Sequence, residues 1–83
     1  ADQDHAVRKQ QIRVALQNAL AKLPGNQRAA LLLCHYEEMS YDEAAISLEV
    51  SVGAIKSLVH RAREKLSLEL SEFVREEEAI HAV

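Results

Sequence analysis

Between Gly53 and Arg63 the chain places Lys56, Ser57, His60 and Arg61 at intervals that, at about 100° per residue, gather them on one arc of a helix. Three permanent cations, an imidazole, a hydroxyl and a residue with no side chain form a surface for contact. Cations neutralise phosphates, the hydroxyl and imidazole meet base edges, and glycine permits close approach. Ser51 stands just before the arc as an N-cap and belongs to the same candidate surface. The bland alternative is a solvated helix face, and His60 is open to either reading. Bond-making chemistry has weaker claims. Cys34 and His35 are neighbours, so on a helix they point about 100° apart, and no Asp or Asn is placed to orient the imidazole. Cys34 reads as a small core residue. Glu37-Glu38, Asp42-Glu43 and Glu76-Glu77-Glu78 sit at helix starts or in a solvated run and imply no acid–base pocket. One cysteine and four scattered histidines lack zinc-site spacing, so no enzyme, metal or cofactor is expected.

An arc needs a rigid carrier. The first periodic stretch, from about His5 to Lys22, repeats Ile12, Leu16, Ala19, Leu20 and Leu23 at helical spacing and predicts an amphipathic helix. Pro24-Gly25-Asn26 ends it, because Pro disfavours helical geometry at Leu23 and suits a new helix start. A second helix runs to about Tyr36, with Ala29, Ala30, Leu32, Leu33 and Tyr36 as its apolar face and Gln27 and Arg28 on its wet side. Ser40-Tyr41-Asp42-Glu43 is a capping box that opens a short third helix through Ala44, Ala45, Ile46 and Leu48. Glu49 and Val50 turn the chain, and Ser51 caps a fourth helix from Val52. There Val52, Ile55, Val59, Ala62 and Leu66 form a core stripe opposite the charged arc, extended by Leu70 and Phe73. The outline is an all-α, four-helix domain whose last two helices make a helix-turn-helix over about 41–66.

Composition agrees. Eighty-three residues hold one core, and 48% apolar with 28% charged residues excludes a disordered polymer. Two glycines and one proline among strong helix formers exclude an all-β fold. Net charge is −3, but residues 1–66 carry +1 and residues 67–83 carry −4, while Ser51 to Leu66 alone carries +3. A basic element therefore precedes an acidic helical extension or tail. No apolar run is long enough to cross a bilayer, so no membrane insertion is expected, and the lone cysteine suits a reducing, cytoplasmic setting. A chain opening on Ala1 rather than Met is open to two readings, an excised piece of a longer protein or a trimmed chain.

Leu23-Pro24, Arg28, Leu31-Leu32-Leu33, Ser40-Tyr41 with Glu43-Ala44-Ala45, Val52-Gly53-Ala54-Ile55-Lys56-Ser57 and Arg61-Ala62-Arg63-Glu64-Lys65-Leu66 stand in an order and spacing that is specific. Together they resemble region 4 of bacterial RNA polymerase sigma factors of the extracytoplasmic-function (ECF) group. The resemblance covers a little over half the chain and implies a helical domain of winged-helix-like, sigma region 4 type over 1–66. It further implies that the last helix enters the major groove of double-stranded promoter DNA at the −35 element. Other faces would dock on the β flap of RNA polymerase core, and an anti-sigma factor would cover these surfaces. Carried over by position, Gly53, Lys56, Ser57 and His60 would face the groove, with Arg61 and Arg63 nearer the phosphates.

The chain departs from the family pattern at Ala54, where Thr is frequent, at Leu58, where Arg is frequent, and at Glu49, near which Gly is frequent. The loss of a cation at Leu58 and a carboxylate at Glu49 predict weaker DNA affinity. Two rivals follow: a sigma-like module that captures an anti-sigma factor without reading DNA, and the helix-turn-helix of a response regulator. The tail, with Leu70, Phe73, Val74, Glu77 and Ile80 in helical register, has several readings. It frays, it packs on helix one, a partner or a second copy, or its acidic run lies over Lys56 and Arg61.

Overall fold

The computed structural model of the chain describes the backbone of residues 2–81 and the side chains of residues 5–75. Four helices follow one another as expected: α1 (Asp2–Ala21), α2 (Gly25–His35), α3 (Tyr41–Leu48) and α4 (Val52–His81). No strand occurs among the described residues, so any likeness to winged-helix proteins lies in the helices alone.

Each boundary has a local cause. After α1 the backbone tightens, with Lys22 N–H donating to the Ala19 carbonyl at 3.2 Å and Leu23 N–H to Leu20 at 3.1 Å, before Pro24 starts α2 at φ −54°. Arg28, expected on the wet side, is half-buried, and its guanidinium approaches the Leu20 and Ala21 carbonyls at 3.5 and 3.4 Å. A cation there offsets the negative end of the α1 dipole. At α3 both halves of the capping box form: Ser40 Oγ accepts from the Glu43 N–H at 3.1 Å, and Ser40 N–H donates to Glu43 Oε1 at 3.2 Å. The helix closes through Glu49 in the left-handed conformation (φ 57°, ψ 44°), with Val50 N–H reaching the Ala45 carbonyl at 3.0 Å. That closing pattern ordinarily uses glycine, because a Cβ disfavours positive φ. At α4, Ser51 Oγ accepts from the Ala54 N–H at 3.1 Å.

α4 packs against each of the other three helices, and α2 also touches α3. Leu23, Ala30, Leu31, Ala44, Ala45, Ile55, Val59 and Ala62 form the buried cluster, with Val52 and Leu66 partly buried against it. The alanines of α2, α3 and α4 let these helices approach closely, leaving Ile55 and Val59 as the largest fully buried side chains. Two expectations about apolar faces change. Tyr36 is 81% exposed, because α2 has ended at His35, and Ile12 and Leu16 remain 47% and 39% exposed, because α1 packs chiefly on α4.

α4 continues without a break past Leu66, and at about 1.5 Å per residue its thirty residues span most of the 49 Å long axis. Beyond Leu66 it lies along α1. Lys22 Nζ donates to Glu69 Oε2 at 3.0 Å, and Phe73 lines a cleft with Ala15, Asn18 and Ala19. A straight helix carries the acidic run away from Lys56, so within one chain it cannot fold back over Lys56 and Arg61. The side chains of Glu76, Glu77, Glu78 and Ile80 lie outside the described residues.

Candidate nucleic-acid interface

The buried side of α4 fixes what its other side presents. Ile55, Val59 and Ala62 are at most 1% exposed, and with the helix held by them Gly53, Lys56, Ser57, His60, Arg61 and Arg63 are all exposed. The structure thus brings the candidate side chains onto the surface of one helix, at the open end of a two-helix corner. α3 and its three-residue turn set the angle of that corner.

The start of α4 is open. A Cβ built on Gly53 would meet only Ser51 Oγ, at 3.9 Å, so the surface in front of the first turn is unobstructed. Ser51 occupies the Ala54 amide, which leaves the amides of Val52 and Gly53 at the helix end for an oxygen ligand. The first turn of α4 carries no acidic residue, whereas the first turn of α3 carries Asp42 and Glu43. Of the two helix starts, α4 therefore suits a phosphate and α3 does not.

Two side chains on the surface are already engaged. His60 Nε2 lies 3.1 Å from Glu64 Oε1, one turn along the helix. A carboxylate thus stands among the cations and moderates the positive field locally. Arg63 sits on the α2 flank of the arc: its Nε donates to His35 Nε2 at 3.1 Å, and a second guanidinium nitrogen also contacts that ring nitrogen. The first pairing follows from i,i+4 spacing and was legible in the sequence; the second joins residues 28 apart and left no local signal.

Leu58 is part of the packing, not of the arc. It lies against the buried cluster, so an arginine at this position would start from the edge of the core and reach outward from there. Glu49 is exposed in the turn between α3 and α4, where it adds a negative charge to that corner.

Next to the arc, where α1, α2 and α4 meet, Leu16, Leu20, Leu31, Leu32, Tyr36 and Leu66 border an apolar groove of about 350 Å³, with His35 and Arg63 at its rim. Among the described residues no three His, Cys, Asp or Glu side chains are grouped to hold a metal, and no helix is long and apolar enough to cross a membrane.

A capped helix, a tight turn and a second capped helix presenting an exposed basic arc define a protein of the helix-turn-helix class. The family model described as Sigma-70, region 4 matches residues 13–66, and the chain belongs to this family. It is 45% identical over 51 residues to the ECF RNA polymerase sigma factor SigE of Mycolicibacterium smegmatis, covering 61% of this chain and 20% of that protein. It is 39% identical over 67 residues to the RNA polymerase sigma-E factor of Streptomyces coelicolor, covering 81% and 38% respectively. With the ECF RNA polymerase sigma factor EcfG of Rhodopseudomonas palustris it shares 53% identity over 49 residues, 59% of this chain and 27% of the relative. The chain therefore spans well under half the length of these relatives.

Proposed function

We propose that this chain is the DNA-binding, promoter-recognition module of an ECF sigma factor. α4 enters the major groove at the −35 element, with Gly53, Lys56, Ser57 and His60 toward the groove and Ser51, Arg61 and Arg63 toward the sugar–phosphate backbone. The observation that carries this reading is the exposed arc of α4, held opposite Ile55, Val59 and Ala62 and opened by the Ser51 cap. Such a module binds and positions; it performs no covalent step. Residues 1–66 are assigned as the recognition unit and residues 67–83 as an acidic helical extension or tail.

The apolar groove beneath Tyr36 and Leu32, which meets the DNA arc at Arg63, supports a protein partner beside the DNA-binding surface. Docking on the RNA polymerase β flap, and cover by an anti-sigma factor, are assigned to faces of this kind, in the cytoplasm where transcription takes place. The relatives' names, which specify RNA polymerase, support the polymerase part of this assignment.

Selection from a random duplex library tests the reading, followed by anisotropy titration of the enriched and a scrambled duplex at several salt concentrations. An enriched motif bound at least about a thousandfold more tightly than the scrambled duplex is the expected result, with affinity falling steeply as salt rises. No enrichment, with capture of an anti-sigma factor retained, would make the chain a protein-interaction module instead.

A further inference from the structure

His35 lies on α2, outside the DNA-facing arc, yet its ring nitrogen holds the guanidinium of an arginine on that arc. Nε2 can accept from Arg63 only as the neutral imidazole with its proton on Nδ1. Arginine carries five N–H donors on a planar fork. With Nε and one neighbouring nitrogen turned to His35, the remaining donors stay free for an oxygen ligand. Among the described residues, those lining the groove beside His35 carry no acidic group: Leu16 and Leu20 from α1, Leu31 and Leu32 from α2, Tyr36 just after it, and Leu66 from α4. Lys56 lies seven residues before Arg63, two turns away on the same edge of α4.

We propose that His35 is a positioning residue for DNA binding: it presets the Arg63 side chain, so that Arg63 meets a phosphate with less conformational freedom left to lose. The proposal rests on the DNA-binding reading of α4 and adds to it a residue of α2 that touches no DNA itself. An arginine fixed before encounter contributes more to affinity than the same arginine searching many rotamers.

The test is a double-mutant cycle in the whole chain, using the selected duplex and anisotropy over a range of salt. Arg63→Ala is expected to lower affinity and reduce the slope of log affinity against log salt by about one. His35→Leu is expected to lower affinity about two- to tenfold when Arg63 is present and to change nothing further in the Arg63→Ala background. His35→Gln, whose amide oxygen can accept in the same place, is expected to restore most of the loss. Thermal melting by circular dichroism establishes that each exposed-site variant is folded. Equal losses from His35→Leu in both backgrounds would overturn the proposal in favour of a structural role. An unchanged or increased affinity would overturn it too. If Arg63→Ala itself costs nothing, the phosphate role of Arg63 fails and positioning fails with it. A costly Arg63→Ala beside a silent His35→Leu removes the positioning role and leaves the DNA reading intact.

Discussion

Lys22 Nζ and Glu69 Oε2 lie 3.0 Å apart across 47 residues of sequence, joining the end of α1 to α4 three residues past Leu66. Phe73, one turn further on, lines the cleft between the same helices. The extension of α4 is thus seated on α1. Burial and charge divide the work unequally. Glu69→Gln should cost about 0.2–1 kcal/mol, the range of a largely solvated ion pair. Phe73→Ala should cost about 1–2 kcal/mol, since the ring is only half-buried. Urea unfolding of the two variants measures the difference, and the larger loss belongs to Phe73.

Glu49 holds the left-handed closing position of α3. Glu49→Gly removes both a Cβ at positive φ and a carboxylate at the corner. We expect about 0.5–1 kcal/mol of added stability, because relief of the folded state is partly offset by the greater freedom of an unfolded glycine. DNA affinity should rise as well, most at low salt. Glu49→Val, β-branched at the same φ, should destabilise. Chemical denaturation and anisotropy separate the two effects.

Gly53 separates stability from recognition. A Cβ there has room in the free protein, so Gly53→Ala should stabilise α4 by about 0.5–1 kcal/mol. If DNA closes on the first turn, the same methyl should weaken binding to the selected duplex. A variant that melts higher and binds less tightly is the expected outcome; one that melts higher and binds equally well would place the duplex away from Gly53.

The capping residues made α3 and α4 legible in the sequence. Ser40 and Glu43, and Ser51 with Ala54, act within three residues, so local chemistry alone announces them. Ser40→Ala or Ser51→Ala should each cost about 1 kcal/mol, read by thermal melting. The core stripe of α4 was legible for the same reason, since periodicity needs no knowledge of the partner helix. What the sequence concealed is set by distant packing. The periodicity of α2 includes Tyr36 but cannot tell that the helix stops before it. Leu58 looks like a vacant arc position until the partly buried edge of the cluster covers it. Arg28 on the α1 carbonyls and His35 on Arg63 depend on how separate helices meet, so no spacing announces them.

Lys56 distinguishes base reading from charge neutralisation. Lys56→Ala should weaken binding to the selected duplex by about 1–3 kcal/mol and to random duplex by less. Parallel titrations on the two duplexes give the comparison, and equal losses would make Lys56 a phosphate contact.

Mapping backbone amide shifts of the labelled chain during titration with the selected duplex shows whether the exposed side of α4 meets DNA. The largest changes are expected at Ser51, Gly53, Lys56, Ser57, His60 and Arg61, with Leu16, Leu32 and Tyr36 little affected. Changes confined to the groove around Leu32 and Tyr36, with the α4 arc silent, would contradict that expectation.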